Sequence, residues 1–353
     1  MILKQNRPAK NDKAVILCCD KNVSDIASFV LARIATLEPG GDYDLCLCTF
    51  EPELDLAYEV FPDIRVCHID PQKFDGLPTT EILPITSYLR LALPDIFATD
   101  YAQIVYLDTD IFPLNAKMSE LFQEHIPGRA VSAVLDVSQW DAKLPPERDV
   151  YMEKLGLSGK KYFNSGVMLI DTEAYRTQGI FDGTTEFAHT HAAHLDFFDQ
   201  SALNGYLKGE WHTLSLKWNW QALKPFHSLV GAYQPHLLHF IGHTKPYLPN
   251  GARYSQPYRA EYEAFFANTL KKEIDVPPFD YKLANPTQQR PKRRKASPLE
   301  RKLKRLLFLP FRRVWGKYNR FMRRLRLNEI ERAIGQGAAL WPTEKRRADL
   351  KGK

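Results

Sequence analysis

Apolar residues in the first third of the chain fall into short continuous runs, separated by stretches with helical spacing. The runs predict buried strands at 14–19 (AVILCC), 43–50 (YDLCLCTF), 64–69 (IRVCHI) and 103–107 (QIVYL). Helices are predicted at 23–37 and over TSYLRLALPDIF, the second broken near Pro94. Strands that alternate with helices are typical of a mainly parallel, doubly wound sheet. In such sheets, ligands bind beyond the carboxyl ends of the strands.

The later part of the chain divides at a polar linker. KKYFNSGVMLIDTEAY predicts a turn, a strand and the start of a helix, and LDFFDQSALNGYLKG predicts an amphipathic helix. The segment NPTQQRPKRRKASP, from Asn285, has the composition of a charged linker. After Leu299 apolar residues recur at helical spacing, and Pro310 should divide this stretch into two helices. We therefore expect one α/β domain at 1–285 and a tail of basic linker and amphipathic helices at 286–353.

The charge of the chain is distributed unevenly. Residues 290–326 contain 16 Lys or Arg and one acid, Glu300, whereas residues 1–289 contain 26 basic and 37 acidic residues. A mildly acidic body with a very basic tail indicates an anionic surface as the partner of the tail. No apolar run approaches the ~20 residues of a membrane-spanning helix, or resembles a secretory signal. We therefore expect a cytoplasmic protein that associates peripherally with the inner face of the membrane.

The five cysteines lie in apolar, strand-like contexts. Their number is odd, and they are Cys18, Cys19, Cys46, Cys48 and Cys67. This pattern favours small buried residues in a reducing compartment. A zinc site is the alternative, but the chain contains no CxxC pair.

Two carboxylates follow the predicted strand at 103–107. Asp108 and Asp110 flank a single threonine, and buried carboxylates are costly unless something neutralises them. In an extended segment, side chains at i and i+2 point the same way and can converge on one cation. Oxygen ligands suit magnesium or manganese, and such an ion could hold a diphosphate. A bare DxD is nevertheless more often a turn after a strand, with the acids as caps.

The segment LHFIGHTKPY, at 238–247, adds groups that suit a metal and a phosphate. His239 can complete a metal shell. Gly242 lets the backbone approach a phosphate, and Lys245 supplies a point charge. Taken alone, His239 is more often a core histidine with its hydrogen bonds satisfied.

Two further segments carry polar residues at places where a sugar could bind. Asn164 and Ser165 precede a predicted strand in YFNSGVMLID, and Asp199 and Gln200 lie on the predicted helix in FFDQSALN. The alternative for the first pair is ordinary turn chemistry. The alternative for the second pair is a solvated helix face.

In this order and at these distances, the motifs resemble those of glycosyltransferase family 8. These are retaining enzymes that include glycogenin and the bacterial lipopolysaccharide galactosyltransferases and glucosyltransferases. The family pattern is D-x-N after a strand, then Y-x-R-L, YLDxD, FNxGV, DQD-x-LN and HxxGxxKPW. This chain shows CCDKN, SYLRL, YLDTD, FNSGV, DQSALN and HFIGHTKPY, over about residues 14–250. The DxD has little specificity alone, but the ordered set is specific.

The resemblance implies a role for each matching residue. Manganese or magnesium would be bound by Asp108, Asp110 and His239. The uridine diphosphate would be contacted by Asp20, Asn22, Thr109, Gly242 and Lys245. The donor sugar would be lined by Arg90, Asn164, Ser165, Asp199 and Gln200, of which Asn164, Asp199 and Gln200 are the candidate catalytic residues. The chain departs from the pattern at Val23, Ser201 and Tyr247, in place of an aromatic residue, an acid and a tryptophan.

The resemblance implies a GT-A-like, mainly parallel α/β domain that transfers galactose or glucose from a UDP-sugar with retention of configuration. The acceptor would be a glycan, the lipopolysaccharide core or another lipid-linked saccharide. One alternative is a DxD magnesium phosphohydrolase, which would usually carry the pair after its first strand. The other is a nucleic-acid-binding protein with a basic tail. In this tail the basic residues alternate with Leu, Phe, Trp and Met at helical spacing, which suits a membrane surface better than nucleic acid.

Overall fold

The structure is a computed structural model that describes most of the body and a few positions of the tail. The described residues are 2–54, 63–74, 85–140, 147–227, 229–242, 244–249, 251, 255–276, and the single positions 317, 318, 322, 325, 328 and 332. The strands are β1 Ile2–Gln5, β2 Lys13–Cys18, β3 Asp44–Thr49, β4 Ile64–Ile69, β5 Gln103–Leu107, β6 Ile111–Pro113, β7 Val131–Leu135, β8 Phe163–Asp171, β9 His212–Thr213, β10 Trp220–Gln221 and β11 Leu237–His239.

Helices cover the sheet and connect its strands. They are α1 Ser24–Leu37, α2 Thr86–Ile96, α3 Met118–Gln123, α4 Val137–Trp140, α5 Glu147–Lys154, α6 Thr172–Thr177, α7 Ile180–Thr190, α8 Phe198–Leu207, α9 Lys224–His227, α10 Val230–Tyr233 and α11 Gln256–Phe265. Short 3-10 helices lie at Pro71–Phe74, Ala192–His194 and Leu216–Trp218, and a π-helix at Phe266–Leu270.

An eight-stranded sheet forms the centre of the domain, in the order β1-β4-β3-β2-β5-β8-β7-β9. The central strands β4, β3, β2 and β5 are parallel, while β1 and β8 run antiparallel to their neighbours. The apolar runs that predicted the strands account for this placement, because every residue of 14–18 is buried. The predicted mainly parallel α/β architecture is confirmed, and its central strands end at a common edge.

A second sheet of three short strands lies beside that edge, in the order β10-β11-β6. Its middle strand β11 runs antiparallel to β6, with His239 opposite Ile111, and parallel to β10, with His239 opposite Gln221. The chain leaves β5 through a tight turn, in which the Ile111 amide donates to the Asp108 carbonyl at 3.2 Å. The small sheet thus brings residue 239 next to residues 108–110.

The break predicted near Pro94 is wrong. Helix α2 continues through Pro94 and ends at Ile96. The ring of proline fixes φ near the helical value. Pro94 lies in the last turn of α2, where the absence of its backbone N–H removes only one helical hydrogen bond. The helix ends within two residues of the proline, so no kink is needed.

The helix predicted over LDFFDQSALNGYLKG is present as α8, but it is not amphipathic. Eight of its residues are buried: Asp199, Gln200, Ser201, Ala202, Leu203, Asn204, Gly205 and Leu207. Because β8 and α7 both pack on it, its polar side chains point into the protein rather than into water. The solvated-face alternative for Asp199 and Gln200 is therefore wrong.

The tail lies almost entirely outside the described residues, including Pro310 and the division predicted there. The six tail positions that are described are helical and exposed. One of them, Asn328, lines a groove on the body with Glu124, Lys217 and His236. In the part of the chain that is described, no helix has both the length and the apolar character that crossing a bilayer requires.

Candidate functional site

The predicted site residues gather at the carboxyl edge of the central strands. Strands β2 and β5 are neighbours, with Leu17 in register with Leu107. Asp20 follows the first strand, and Asp108 follows the second. The structure therefore puts both acidic segments on the edge where ligands of parallel α/β sheets bind.

Asp108, Asp110 and His239 form a compact cluster. One ligand atom from each lies within 4.8 Å of the others. His239 Nε2 is 3.0 Å from Asp110 Oδ1 and 3.8 Å from Asp108 Oδ2. The two acids converge through the turn between β5 and β6 rather than through an extended segment, so the geometric reason expected from the sequence is wrong although the convergence is found.

The cluster has the features of a divalent cation site. Its donors are two carboxylates and one imidazole, the ligand types that magnesium and manganese accept. Asp110 Oδ1 is buried and lacks a hydrogen-bond partner, although it lies against the histidine nitrogen. A buried acceptor without a donor is costly, and a cation between these atoms would satisfy it. The residues present therefore fit such an ion.

Gly166 of the FNSGV motif lies directly beneath the cluster. A Cβ at this position would lie 2.3 Å from His239 Cε1 and 2.8 Å from Asp108 Oδ2. Only a residue without a side chain allows β8 to pass this close, and the Gly166 carbonyl accepts a hydrogen bond from the Asp108 amide at 2.9 Å. The glycine therefore holds the cluster close to the sheet.

Replacing Gly166 with alanine should destabilise the protein by about 1–3 kcal/mol, because overpacking a rigid buried site forces its neighbours apart. The midpoint of urea unfolding measures this effect. Gly231→Ala is the matched control, since a Cβ there would have no neighbour within 4 Å and alanine favours the helix. A Gly166→Ala protein with an unchanged midpoint would contradict this account.

Arg90 connects the cluster to the buried helix α8. Its Nη1 lies 2.8 Å from Asp108 Oδ1, and its Nε lies 3.0 Å from Asp199 Oδ2. It also donates to Ser165 Oγ at 3.3 Å. Tyr106 donates to the same Asp108 oxygen at 2.7 Å, and burial raises its pKa so that it remains a neutral donor. Asp108 thus turns one oxygen to Arg90 and the other to the cluster.

Asp199 and Gln200 are 5% and 9% exposed. Burial raises the pKa of Asp199 to about 6, against the opposing effect of the Arg90 charge. Gln200 accepts the Ser165 amide proton through Oε1 at 3.0 Å, and its Nε2 lies 3.3 Å from Tyr162 Oη. Hydrogen bonds to Ser165 and Tyr162 thus hold Gln200 in place, whereas the ion pair with Arg90 holds Asp199.

Lys245 pairs with Asp110 Oδ2 and lies beside the cluster. Burial alone would raise the pKa of Asp110, but the pKa lies well below its usual range, chiefly because of the Lys245 ammonium beside it. Gly242, three residues earlier, has a φ of +81°. This left-handed conformation favours glycine and lets the chain turn from β11 towards Lys245.

Three other predicted residues lie near the cluster without joining its hydrogen bonds. Asp20 Oδ1 accepts the Asn22 amide proton at 2.8 Å, in a turn after β2, and Thr109 lies between the two acids. Together with Gly242, four predicted residues thus lie outside the network into which the structure brings the other nine. The nine are Arg90, Asp108, Asp110, Asn164, Ser165, Asp199, Gln200, His239 and Lys245.

Sequence reasoning missed three residues of this network. Tyr106 lies in the YLDTD motif but received no role, and Tyr162 precedes FNSGV. Asn219 is fully buried, and its Oδ1 lies 3.0 Å from His239 Nδ1. The sequence around Asn219, LKWNWQ, matches no motif, so only the pairing of β10 with β11 reveals it.

Comparison with protein families shows that residues 14–251 match Glycosyl transferase family 8. All six motifs and every residue of the network lie within this range. The matched part is about two thirds of the chain.

Two known relatives are each similar to more than half of this chain. General stress protein A of Bacillus subtilis is 29% identical over 229 residues, covering 61% of this chain and 76% of that protein. Lipopolysaccharide 1,3-galactosyltransferase of Salmonella typhimurium is 26% identical over 205 residues, covering 56% of this chain and 59% of the relative. The chain thus spans less than two thirds of the second relative.

A crystal structure of the galactosyltransferase LgtC, in complex with donor and acceptor sugar analogs, has a TM-score of 0.60 at 18% identity. The match covers 77% of this chain and 99% of LgtC. At this identity the likeness shows the fold, which confirms the GT-A-like architecture. The family match identifies the domain as a glycosyltransferase, which removes the phosphohydrolase alternative. The chain therefore belongs to glycosyl transferase family 8, the family of retaining glycosyltransferases that its motifs resemble.

Proposed function

We propose that this enzyme transfers a hexose, galactose or glucose, from a UDP-sugar to a saccharide acceptor, with a divalent cation bound by Asp108, Asp110 and His239. The observation that carries the proposal is the convergence of these three side chains at the carboxyl edge of the sheet. The acceptor we propose is the lipopolysaccharide core or another lipid-linked saccharide, and Mn²⁺ or Mg²⁺ is the proposed cation. Lipopolysaccharide galactosyl- and glucosyltransferases among the relatives support this acceptor class.

The leaving group of the proposed reaction is a nucleoside diphosphate. A divalent cation, when bound, offsets the negative charge that develops on this group. Lys245 lies beside the cluster on Asp110, where its ammonium can turn to a phosphate oxygen. Gly242 leaves the backbone open there, since no atom lies within 4 Å of the position of a Cβ. Asp20 and Asn22 occupy the neighbouring strand end, where we place the uridine.

The sugar of the donor would lie over Arg90, Ser165, Asp199 and Gln200. Gln200 is a poor candidate for a nucleophile, because its amide oxygen already accepts the backbone proton of Ser165. Ser201, at the place of the family's second acid, is fully buried and lies 3.1 Å from Tyr162 Oη. Asp199 is a buried carboxylate in this group, and it is paired with Arg90. This arrangement favours Asp199 and Asn164 as groups that stabilise and orient the sugar.

We infer that transfer occurs on one face of the sugar. The acceptor oxygen forms its bond to the anomeric carbon on the face from which the diphosphate oxygen departs, and the acceptor proton passes to that phosphate oxygen. No protein nucleophile is required. Arg90, held between Asp108 and Asp199, then positions the carboxylates around the positive charge that develops on the sugar.

Release of UDP from a panel of UDP-sugars, without acceptor, tests the proposed donor and cation together. We expect release from UDP-galactose or UDP-glucose in the presence of Mn²⁺ and none in excess EDTA. Asp171→Asn is the matched control for replacing an aspartate of the cluster by asparagine. Asp171 also lies beside a histidine, with Oδ2 2.9 Å from His125 Nε2, but it caps helix α6 and lies outside the cluster. Asparagine caps helices as well as aspartate does, so this variant should remain active. If no UDP-sugar of the panel is cleaved, the proposed donor is wrong.

The first-formed product should be an α-linked hexoside when the donor is an α-linked UDP-hexose. Retention follows from reaction on one face of the sugar. Proton NMR of the first-formed product reveals the anomer from the coupling constant of the newly formed anomeric proton. A β-linked product would rule out the one-face reaction.

We also propose that residues 1–285 form the catalytic domain and that residues 286–353 attach it to an anionic membrane surface on the cytoplasmic side. The support comes from the charge and apolar spacing of the tail. Nucleic acid is not the partner we propose, because the spacing of Tyr318, Met322 and Leu325 in the sequence predicts an apolar helical face, which suits a membrane surface better.

A further inference from the structure

The ring of His239 lies between two polar surroundings. Its Nε2 faces the carboxylates, 3.0 Å from Asp110 Oδ1, and its Nδ1 faces Asn219 Oδ1 at 3.0 Å. A neutral imidazole carries its hydrogen on only one nitrogen, and the other nitrogen keeps the lone pair that can bind a metal. The nitrogen that carries the hydrogen therefore decides whether His239 can be a ligand at all.

The hydrogen-bond network fixes this choice from the backbone outward. The Gly166 amide lies 3.1 Å from Asn164 Oδ1, and because a backbone N–H can only donate, that side-chain atom must be the oxygen. The same oxygen lies 2.9 Å from an amide atom of Asn219, which must then be the donating Nδ2. The Asn219 oxygen consequently faces His239, and since it can only accept, Nδ1 carries the hydrogen.

We propose that Asn219 is a positioning residue that holds His239 in its Nδ1–H form and leaves Nε2 free for a divalent cation. The inference rests on the proposed cation site, and it names a residue that neither the motifs nor the family pattern contains. Asn219 and Asn164 are buried, so water does not compete for their hydrogen bonds. The relay runs from the Gly166 amide through the two asparagines to His239.

The strand pairing makes the relay rigid. Trp220 and Gln221, which follow Asn219, form β10 and pair directly with Leu238 and His239 of β11. Asn219 cannot move away from the histidine without disturbing this pairing. A partner that orients a metal-binding histidine through its second nitrogen typically contributes 10–100-fold to metal affinity. We expect an effect of that size.

The test measures Mn²⁺ binding to the full-length protein by electron paramagnetic resonance of the free ion. Asn219→Leu removes the acceptor and should weaken Mn²⁺ binding 10–100-fold. Asn219→Asp replaces the Nδ2 that donates to Asn164 by an acceptor, but it keeps an oxygen opposite Nδ1, and its negative charge strengthens that acceptor. It should therefore bind Mn²⁺ at least as tightly as the wild type. The matched control is Asn115→Leu, because Asn115 Oδ1 contacts His236 Nδ1 at 2.6 Å, in a pair of the same kind that lies outside the cluster. This control should leave the Mn²⁺ affinity unchanged.

A second readout, on metal-free protein, separates the role of Asn219 from the presence of a cation. In protein labelled with ¹⁵N-histidine, His239 should show a slowly exchanging Nδ1–H, identified by its absence in His239→Gln. Asn219→Leu should abolish that protection, and Asn219→Asp should retain it. Since Asn219 is buried, Asn219→Leu can fail to fold, and the result for Asn219→Asp then decides.

The outcomes distinguish the two proposals. A wild-type protein that binds no Mn²⁺ refutes the proposed cation, whereas the NMR result still decides the role of Asn219. Unaltered Mn²⁺ affinity in folded Asn219→Leu overturns the inference. So does a tenfold loss of affinity in folded Asn219→Asp, or a His239 ring in the metal-free wild type whose Nδ1 carries no hydrogen.

Discussion

Asp110→Asn is expected to reduce turnover of the sugar-nucleotide donor by a factor of about 10² or more while the fold persists. One lost carboxylate–cation contact removes several kcal/mol of transition-state stabilisation, and each 1.4 kcal/mol is a factor of ten. Asparagine has the shape of aspartate, but its amide nitrogen cannot replace the buried Oδ1 that lies against His239. The variant should therefore fold normally and fail as a cation ligand.

Asp108→Asn should lose at least as much activity, but for two reasons. One oxygen of Asp108 belongs to the cluster, and the other receives the Arg90 guanidinium at 2.8 Å and the Tyr106 hydroxyl at 2.7 Å. The substitution therefore disturbs the sugar side of the site as well, which makes Asp110→Asn the cleaner test of the cation. Rates of UDP release and Mn²⁺ affinity, measured together with circular dichroism, separate these effects. Full activity of either variant, or of the wild type in excess EDTA, would contradict the role of the cluster.

The sequence predicted the central strands well because their side chains are buried on both faces. Such strands are continuous or nearly continuous apolar runs, as in AVILCC, and they can be recognised without knowledge of the tertiary structure. The ordered motifs then located the edge at which Asp108 and His239 meet. The agreement has a physical basis, since the carboxyl ends of parallel strands necessarily lie together.

The small sheet and the relay could not be predicted from local pattern. Strands β6 and β11 have three residues each, and β10 has two, too few to show a period. They are strands only because each pairs with another. Asn219 acquires its contact with His239 through this pairing, and the burial of Asp199 likewise depends on the neighbours of α8. The local sequence pattern does not indicate contacts between residues that are distant in the chain.

Removing the tail should release the enzyme from anionic liposomes without loss of catalysis. Residues 1–289 contain 26 basic and 37 acidic residues, so the body alone is repelled by an anionic surface, whereas residues 290–326 contain 16 basic residues and one acid. Each Lys or Arg near anionic lipid contributes about 1 kcal/mol, and the contributions do not add fully. If half of the sixteen basic residues contact anionic lipid, the free energy of attraction still exceeds what a peripheral enzyme needs to stay on the membrane.

A protein ending near Tyr281 should keep cation-dependent release of UDP and should remain in the supernatant when anionic liposomes are sedimented. Salt should weaken binding of the full-length protein, because the Debye length falls from ~10 Å at 0.1 M to ~3 Å at 1 M. Apolar side chains inserted into the lipid should leave a fraction of binding that salt does not remove. Cosedimentation at increasing salt measures both contributions.

A matched variant separates charge from apolar insertion. The tail positions Tyr318, Met322 and Leu325 are helical and 53%, 43% and 42% exposed, and their spacing in the sequence predicts that they share one helical face. Changing all three to serine keeps every basic residue, so binding at low salt should persist while the salt-resistant fraction falls. Equal sedimentation of the truncated and full-length proteins would refute the membrane role. Release of the full-length protein from liposomes by duplex DNA of equal charge would also refute it, because a surface that inserts apolar side chains should prefer lipid to DNA.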